Sequence, residues 1–164
     1  MAFRLALLAG SIFLAACAPP KTPLADTRDS PAAVAQAVIE AVTAGNSAAL
    51  ASLALSEQEF RDHIWPELPA ARPERNLPFS YVWGDLHQKS GTSLAATVAK
   101  YRGQRLTLVE VRHGEATPYQ SYTVHRDSVF VVRTADGATD DVRLCGSMVE
   151  QGGRWKVFSY VTSD

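Results

Sequence analysis

Two cysteines, Cys17 and Cys145, and four histidines, His63, His87, His113 and His125, carry the reactive sulfur and nitrogen of this 164-residue chain. No two histidines are spaced as a His-x-x-x-His ligand pair and the cysteines form no Cys-x-x-Cys, so no metal site is expected. There is no Gly-x-Gly-x-x-Gly, P-loop or Gly-x-Ser-x-Gly, and therefore no expected cofactor and no hydrolase nucleophile elbow. Asp85 and His87 lie two apart on a helical pattern, and Asp62 and His63 are adjacent, so neither pair can act from one helix face. Cys17 has a more specific setting. It comes after a basic residue, Arg4, an apolar run from Leu5 to Leu14, and two small residues, Ala15 and Ala16. A thiolate there is a nucleophile able to form a thioether. The small residues let a peptidase approach the backbone.

Residues 1–16 have the layout of a secretory signal: a short basic start, an apolar stretch, then small residues. The apolar run is too short to span a bilayer as a helix, which takes about 20 residues. Leu14-Ala15-Ala16-Cys17 resembles the lipobox of bacterial lipoproteins, in which the cysteine is lipidated and becomes the mature N-terminus. That resemblance implies a diacyl or triacyl Cys17 and a partner that is a membrane. One acyl chain binds only marginally, at about 0.8 kcal/mol per buried CH₂, whereas two or three hold stably. In an organism with two membranes, Ala18 after the cysteine fits the periplasmic face of the outer membrane.

The chain beyond Cys17 is long enough for one domain with one core. The whole sequence carries 16 Lys and Arg against 17 Asp and Glu without a run of either sign, which gives no footprint for nucleic acid. With Cys17 acylated, Cys145 has no disulfide partner. Its apolar strand context predicts a buried small hydrophobe. Residues 17–29 contain three prolines and no apolar periodicity, and read as a flexible tether.

Residues 30–164 divide into two halves. Ser30-Pro31 opens a helix with Val34, Val38 and Val42 on one face, closed by Gly45-Asn46. A short helix from Ser47 to Leu55 comes next, and Ser56 to Glu59 is a capping box starting a third through Phe60 and Ile64. Residues 66–78 are a Pro-rich loop. The spacing of Trp83, Leu86, Leu94, Val98 and Tyr101 predicts a long helix over 79–102, with Ser90-Gly91 as the place to kink it. Strands are expected at 106–111, 119–125, 129–133, 142–149 and 155–161, with Asp136-Gly137 and Gln151-Gly152-Gly153 as turns. Helices followed by an antiparallel meander define an α+β class.

That order, with the ending Gly153-Arg154-Trp155-Lys156-Val157 and Tyr160 and the arm Gly146 to Glu150, resembles the NTF2-like (SnoaL-like) cone fold: N-terminal helices packed on a curved antiparallel sheet. The resemblance covers residues 30–164. It implies a pocket inside the cone and dimerisation through the outer sheet face. Isomerases of this family use a carboxylate with a Tyr from the first helix. Residues 31–44 contain neither Tyr nor Asp.

Tyr81, Trp83 and Trp155 are the candidate pocket-lining residues. Strand alternation points Trp155, Val157, Leu144 and Met148 inward and leaves Phe158 and Tyr160 outside with Lys156, as a candidate homodimer interface. The expected function is a lipid-anchored envelope protein whose domain binds a small apolar ligand or another protein without catalysis. The alternative is a small isomerase- or hydrolase-type enzyme using a polar group in the cone.

Overall fold

The computed structural model describes residues 22–161. The signal segment 1–16, Cys17 and the first part of the tether lie outside them. Among the described residues no helix is long and apolar enough to cross a membrane. The class is α+β, with four α-helices and two antiparallel sheets among the described residues.

The helical half is set by its caps. Helix α1 (Pro31–Ala44) starts where Ser30 Oγ accepts from Ala33 N–H and ends at Gly45 in the left-handed region, which a residue with a Cβ adopts only at a cost. Helix α2 (Ser47–Leu53) is capped by Asn46. Helix α3 (Glu57–Glu59) begins with the expected capping box, Ser56 and Glu59 exchanging bonds. It then widens into a π-turn over Phe60–Ile64 rather than continuing as α-helix. Short 3₁₀ turns, each led by Pro66, Pro69 or Pro73, carry the chain to α4 (Phe79–Tyr101). Helix α4 runs unbroken through Ser90-Gly91, the dipeptide expected to kink it.

Strands β1 (Thr107–Arg112), β2 (Ala116–Pro118), β3 (Thr123–His125), β4 (Val129–Arg133), β5 (Thr139–Val142), β6 (Ser147–Gln151) and β7 (Arg154–Ser159) form sheets of order β1-β4-β5 and β2-β3-β6-β7. Backbone bonds from Gly114 to Arg126, Arg126 to Glu115, Ser128 to Gly146 and Gly146 to Ser159 join the two at a bend. The expected single strand over 142–149 is broken there. Leu144 and Cys145 are adjacent and both fully buried, which a strand with one solvated face does not permit. Gly146 is required at this bend because a Cβ would run into the Val161 carbonyl. Cys145 is buried as expected, and desolvation pushes its thiol up to about 12 against a bond from Ser128.

One core packs α1 and α2 on Phe130, Val132, Leu144, Met148 and Val157. A second gathers Leu55, Phe60, Ile64, Tyr122, Val124 and Val149 beneath the first half of α4. Met148 and Val149 are neighbours in β6 and belong to different cores, so both faces of this sheet are covered. This overturns the outer-face assignment. Tyr160 is 2 % exposed and Lys156 is buried. Phe158 packs edge-on against Phe60, ring centroids 6.0 Å apart. The face expected to form a homodimer interface is sealed by the π-turn, α3 and α4 of the same chain. The reason lies in the helical half, whose second apolar set (Phe60, Ile64, Trp83) needs a sheet face of its own.

The tether is also shorter than expected. Residues 22–29 are docked as a strap. Arg28 and Trp155 exchange both backbone bonds at 2.8 Å. Lys156 Nζ donates to the Ala25 carbonyl at 2.7 Å, His63 Nε2 bonds the Thr22 carbonyl at 2.7 Å, and Leu24 packs on the second core.

Candidate functional site

The two cores leave a gap where α4 passes from one to the other. Phe79, Val82, Trp83 and Leu86 serve the second core, and Leu94, Val98 and Tyr101 serve the first. Between them the helix turns Trp83, His87, Ser90, Gly91 and Leu94 toward a half-open cleft of about 420 Å³. Residues at these offsets share one helix face. The opposite wall is the α2–α3 junction, Ala51 to Glu57, and the floor is Phe158 and Tyr160. Gly91 has no atom within 4 Å of where a Cβ would stand, so the missing side chain is part of the open volume.

The walls are braced by aromatic contacts. Trp83 lies 5.3 Å from Phe60 on its buried side, and His87 stacks on Trp83 at 5.4 Å. Most polar atoms of the cleft are already engaged. Ser90 Oγ accepts the Tyr160 N–H at 2.9 Å, and the Tyr160 hydroxyl donates to the Leu50 carbonyl at 2.7 Å. Burial raises the Tyr160 phenol, with Cys145 adding to the effect, so it stays a protonated, structural donor. Ser56 holds the α3 cap and Glu57 accepts from Arg61 at 2.7 Å. The surface on offer is therefore apolar and aromatic, with the His87 imidazole at its edge.

Of the three sequence-expected lining residues only Trp83 reaches this cleft. Tyr81 is 67 % exposed on the far side of α4, because two helical residues' separation turns it about 200° from Trp83. Trp155 lies elsewhere, against His125 at 4.5 Å and His113 at 6.0 Å. Phe158 and Tyr160 belong to the cleft floor instead of an outer interface. His87, Ser90 and Gly91 join the site without having been expected there, although their spacing from Trp83 and Leu94 is readable in the sequence. The wall at residues 51–57 has no sequence signal, since it is set by how α2 and α3 meet.

A second polar cluster sits at the sheet bend. His113 Nδ1 lies 3.2 Å from Ser128 Oγ, and its buried Nε2 has no partner. The His113 and His125 rings are 5.3 Å apart. Burial lowers the pKa of both; at His113 the His125 charge adds to the fall, and at His125 Glu150 opposes it. Among the described residues no three His, Cys, Asp or Glu side chains converge as a metal-binding group.

The fold and cleft define an α+β protein with a helix-walled apolar groove. No protein-family model, curated protein or solved structure matches the chain.

Proposed function

We propose that this chain is a lipid-anchored envelope protein, held to the membrane by acylated Cys17, whose domain binds a small apolar ligand without catalysis. The observation that carries the ligand reading is the cleft between α4 and the α2–α3 junction: apolar on three sides, about 420 Å³, with most of its polar atoms apart from His87 spent on internal bonds. A catalytic site needs converging polar groups free to move a proton. A binding groove needs shape and apolar surface. Stacking on the Trp83–His87 pair favours a ligand with at least one flat ring.

The helices-then-bent-meander order supports the NTF2-like cone as the architecture. Side chains of α1, α2 and the sheets fill the space between them as a packed core, and the groove lies beside it. The lipobox and its Ala18 support the periplasmic face of the outer membrane as the location in an organism with two membranes.

The test is titration of the full chain with N-phenyl-naphthylamine, an uncharged fluorophore with fused and single rings. Saturable enhancement that Gly91→Phe removes is the expected result. Enhancement indifferent to Gly91→Phe, with the variant still folded, would refute the groove. For the anchor, Cys17→Ser should leave an unprocessed precursor without acyl label, and unchanged acylation and mature size would refute lipidation. The enzyme alternative requires His87 as the acid or base; turnover lost in His87→Gln with dye binding kept would favour it.

A further inference from the structure

The histidine cluster at the bend is not used by the groove, and it touches the residue on which the strap hangs. Trp155 has two roles. Its backbone exchanges both hydrogen bonds with Arg28, and its ring packs against the rings of His125 and His113. On β7, Arg154 Nε and Nη2 reach Thr27 at 3.0 Å and its guanidinium pairs with Asp29, while Lys156 holds Ala25; off the sheet, Ala25 N–H donates to Glu59 and His63 Nε2 bonds the Thr22 carbonyl. Three consecutive residues of β7 thus grip the strap, and the middle one rests on two imidazoles.

We propose that the His113–His125–Trp155 stack is an acid-sensitive latch, which holds the strap on β7 when both rings are neutral and releases it as they take up protons. Neutral rings fit the site. His113 has one nitrogen at Ser128 and the other buried without an acceptor, so an added N–H at Nε2 has nothing to donate to. A second proton on His125 places like charges on rings 5.3 Å apart. The charged groups around the pair do not remove this conflict. Glu150 on β6 faces His125 and favours its charge. Asp127, near Gly114 across the bend, and Glu115 flank the His113 loop. On β7 and the strap, Arg154 and Arg28 are turned to Asp29, Thr27 and the Asp26 carbonyl. Helix α1 presents Val34, Val38 and Ala41 to the core, and its one acid, Glu40, accepts from Gln36 in solvent. Relief comes from moving the rings apart, and Trp155 moves with them. Both histidines sit below their ordinary value, in keeping with a neutral pair at pH 7.

Full release would free the eight residues 22–29 that join the domain to the segment carrying Cys17. Each freed residue adds up to about 3.5 Å of reach. The experiment is amide exchange on the full chain at about pH 7.5 and about pH 5, corrected for intrinsic rates, with Val38 as internal reference. Protection of the Arg28 and Trp155 amides should fall at the acid pH by about tenfold or more beyond any fall at Val38, which tracks global stability. In His113→Phe/His125→Phe, which keeps two rings and removes their titration, it should stay within about threefold. Unchanged protection in the unmodified chain, or equal loss in the double variant, overturns the latch. Should the double variant not fold, proton titration of the histidine rings in the unmodified chain decides: a His113 midpoint at or above the ordinary value overturns it as well.

Discussion

Glu59 and Lys156 form a buried ion pair that ties three parts of the chain together, and its removal should be costly in an ordered way. Lys156 Nζ is 3.1 Å from Glu59 Oε1, with side chains 2 % and 11 % exposed. Glu59 also accepts from Ala25 N–H at 2.7 Å and Ser56 N–H at 2.8 Å. Lys156 donates in addition to the Ala25 carbonyl. Glu59→Gln keeps the volume but leaves a buried ammonium facing only neutral oxygens, and gives up at least one backbone bond. Breaking such a pair from one side costs about 3 kcal/mol. Lys156→Met leaves a carboxylate that still has two N–H donors, so the loss should be smaller, about 1–2 kcal/mol. The double variant should cost no more than Glu59→Gln, giving a coupling of about 1–3 kcal/mol. Denaturant unfolding of the four proteins measures this, with m-values checked for two-state behaviour. Burial alone would raise Glu59, but the bonds from Ser56 and Ala25 and the Lys156 charge hold it below the usual carboxylate value. Its contribution is therefore full above the ordinary Glu value and fades as pH falls through the depressed one. Strictly additive variants, or single costs under about 0.5 kcal/mol, would refute the pair as a stabilising joint.

Gly91→Ala should raise stability by about 0.5–1 kcal/mol, because a helix-interior glycine is replaced where a Cβ meets nothing, and a rise in melting temperature of roughly 2–5 °C would register it. Tyr160→Phe should cost about 1–2 kcal/mol in denaturant unfolding, since the Leu50 carbonyl loses its buried donor. Gly146→Ala should destabilise by several times that amount or prevent folding, seen as loss of a cooperative transition, because the Val161 carbonyl occupies the space of the new methyl. Stability should also fall as pH drops below about 6.5, since the unfolded chain protonates His113 and His125 before the folded one does; pH-dependent melting checks the sign, and a flat profile between about pH 6.5 and about pH 5 would refute it.

Local rules are legible in the sequence because they act over a few residues. The Ser30 and Ser56 caps, the long helix through Trp83 and Tyr101, the Asp136-Gly137 turn and the α+β order all depend on neighbours within about one helical turn or one hairpin. The same locality places Cys17 in a lipobox-like setting. Helical spacing alone corrects Tyr81, and Ser90-Gly91 does not kink α4, but the other readings that the structure corrects depend on distant partners. Alternation along β7 separates two faces but cannot say that both are covered, so Lys156 and Tyr160 read as solvent-facing while Glu59 and Leu50, about a hundred residues away, wait for them. Proline content marks residues 17–29 as a tether, yet such a segment can also add to a sheet as a strap; the open edge of β7 decides it for residues 22–29. The groove belongs to the same class. Its residues come from three stretches of chain, and its volume exists only because α4 serves two cores that do not quite meet. Sequence by itself determined the two long helices, the Ser30 and Ser56 caps and the α+β class. Tertiary structure alone decided which faces are inside, because burial is a property of pairs of surfaces and not of a residue's own pattern.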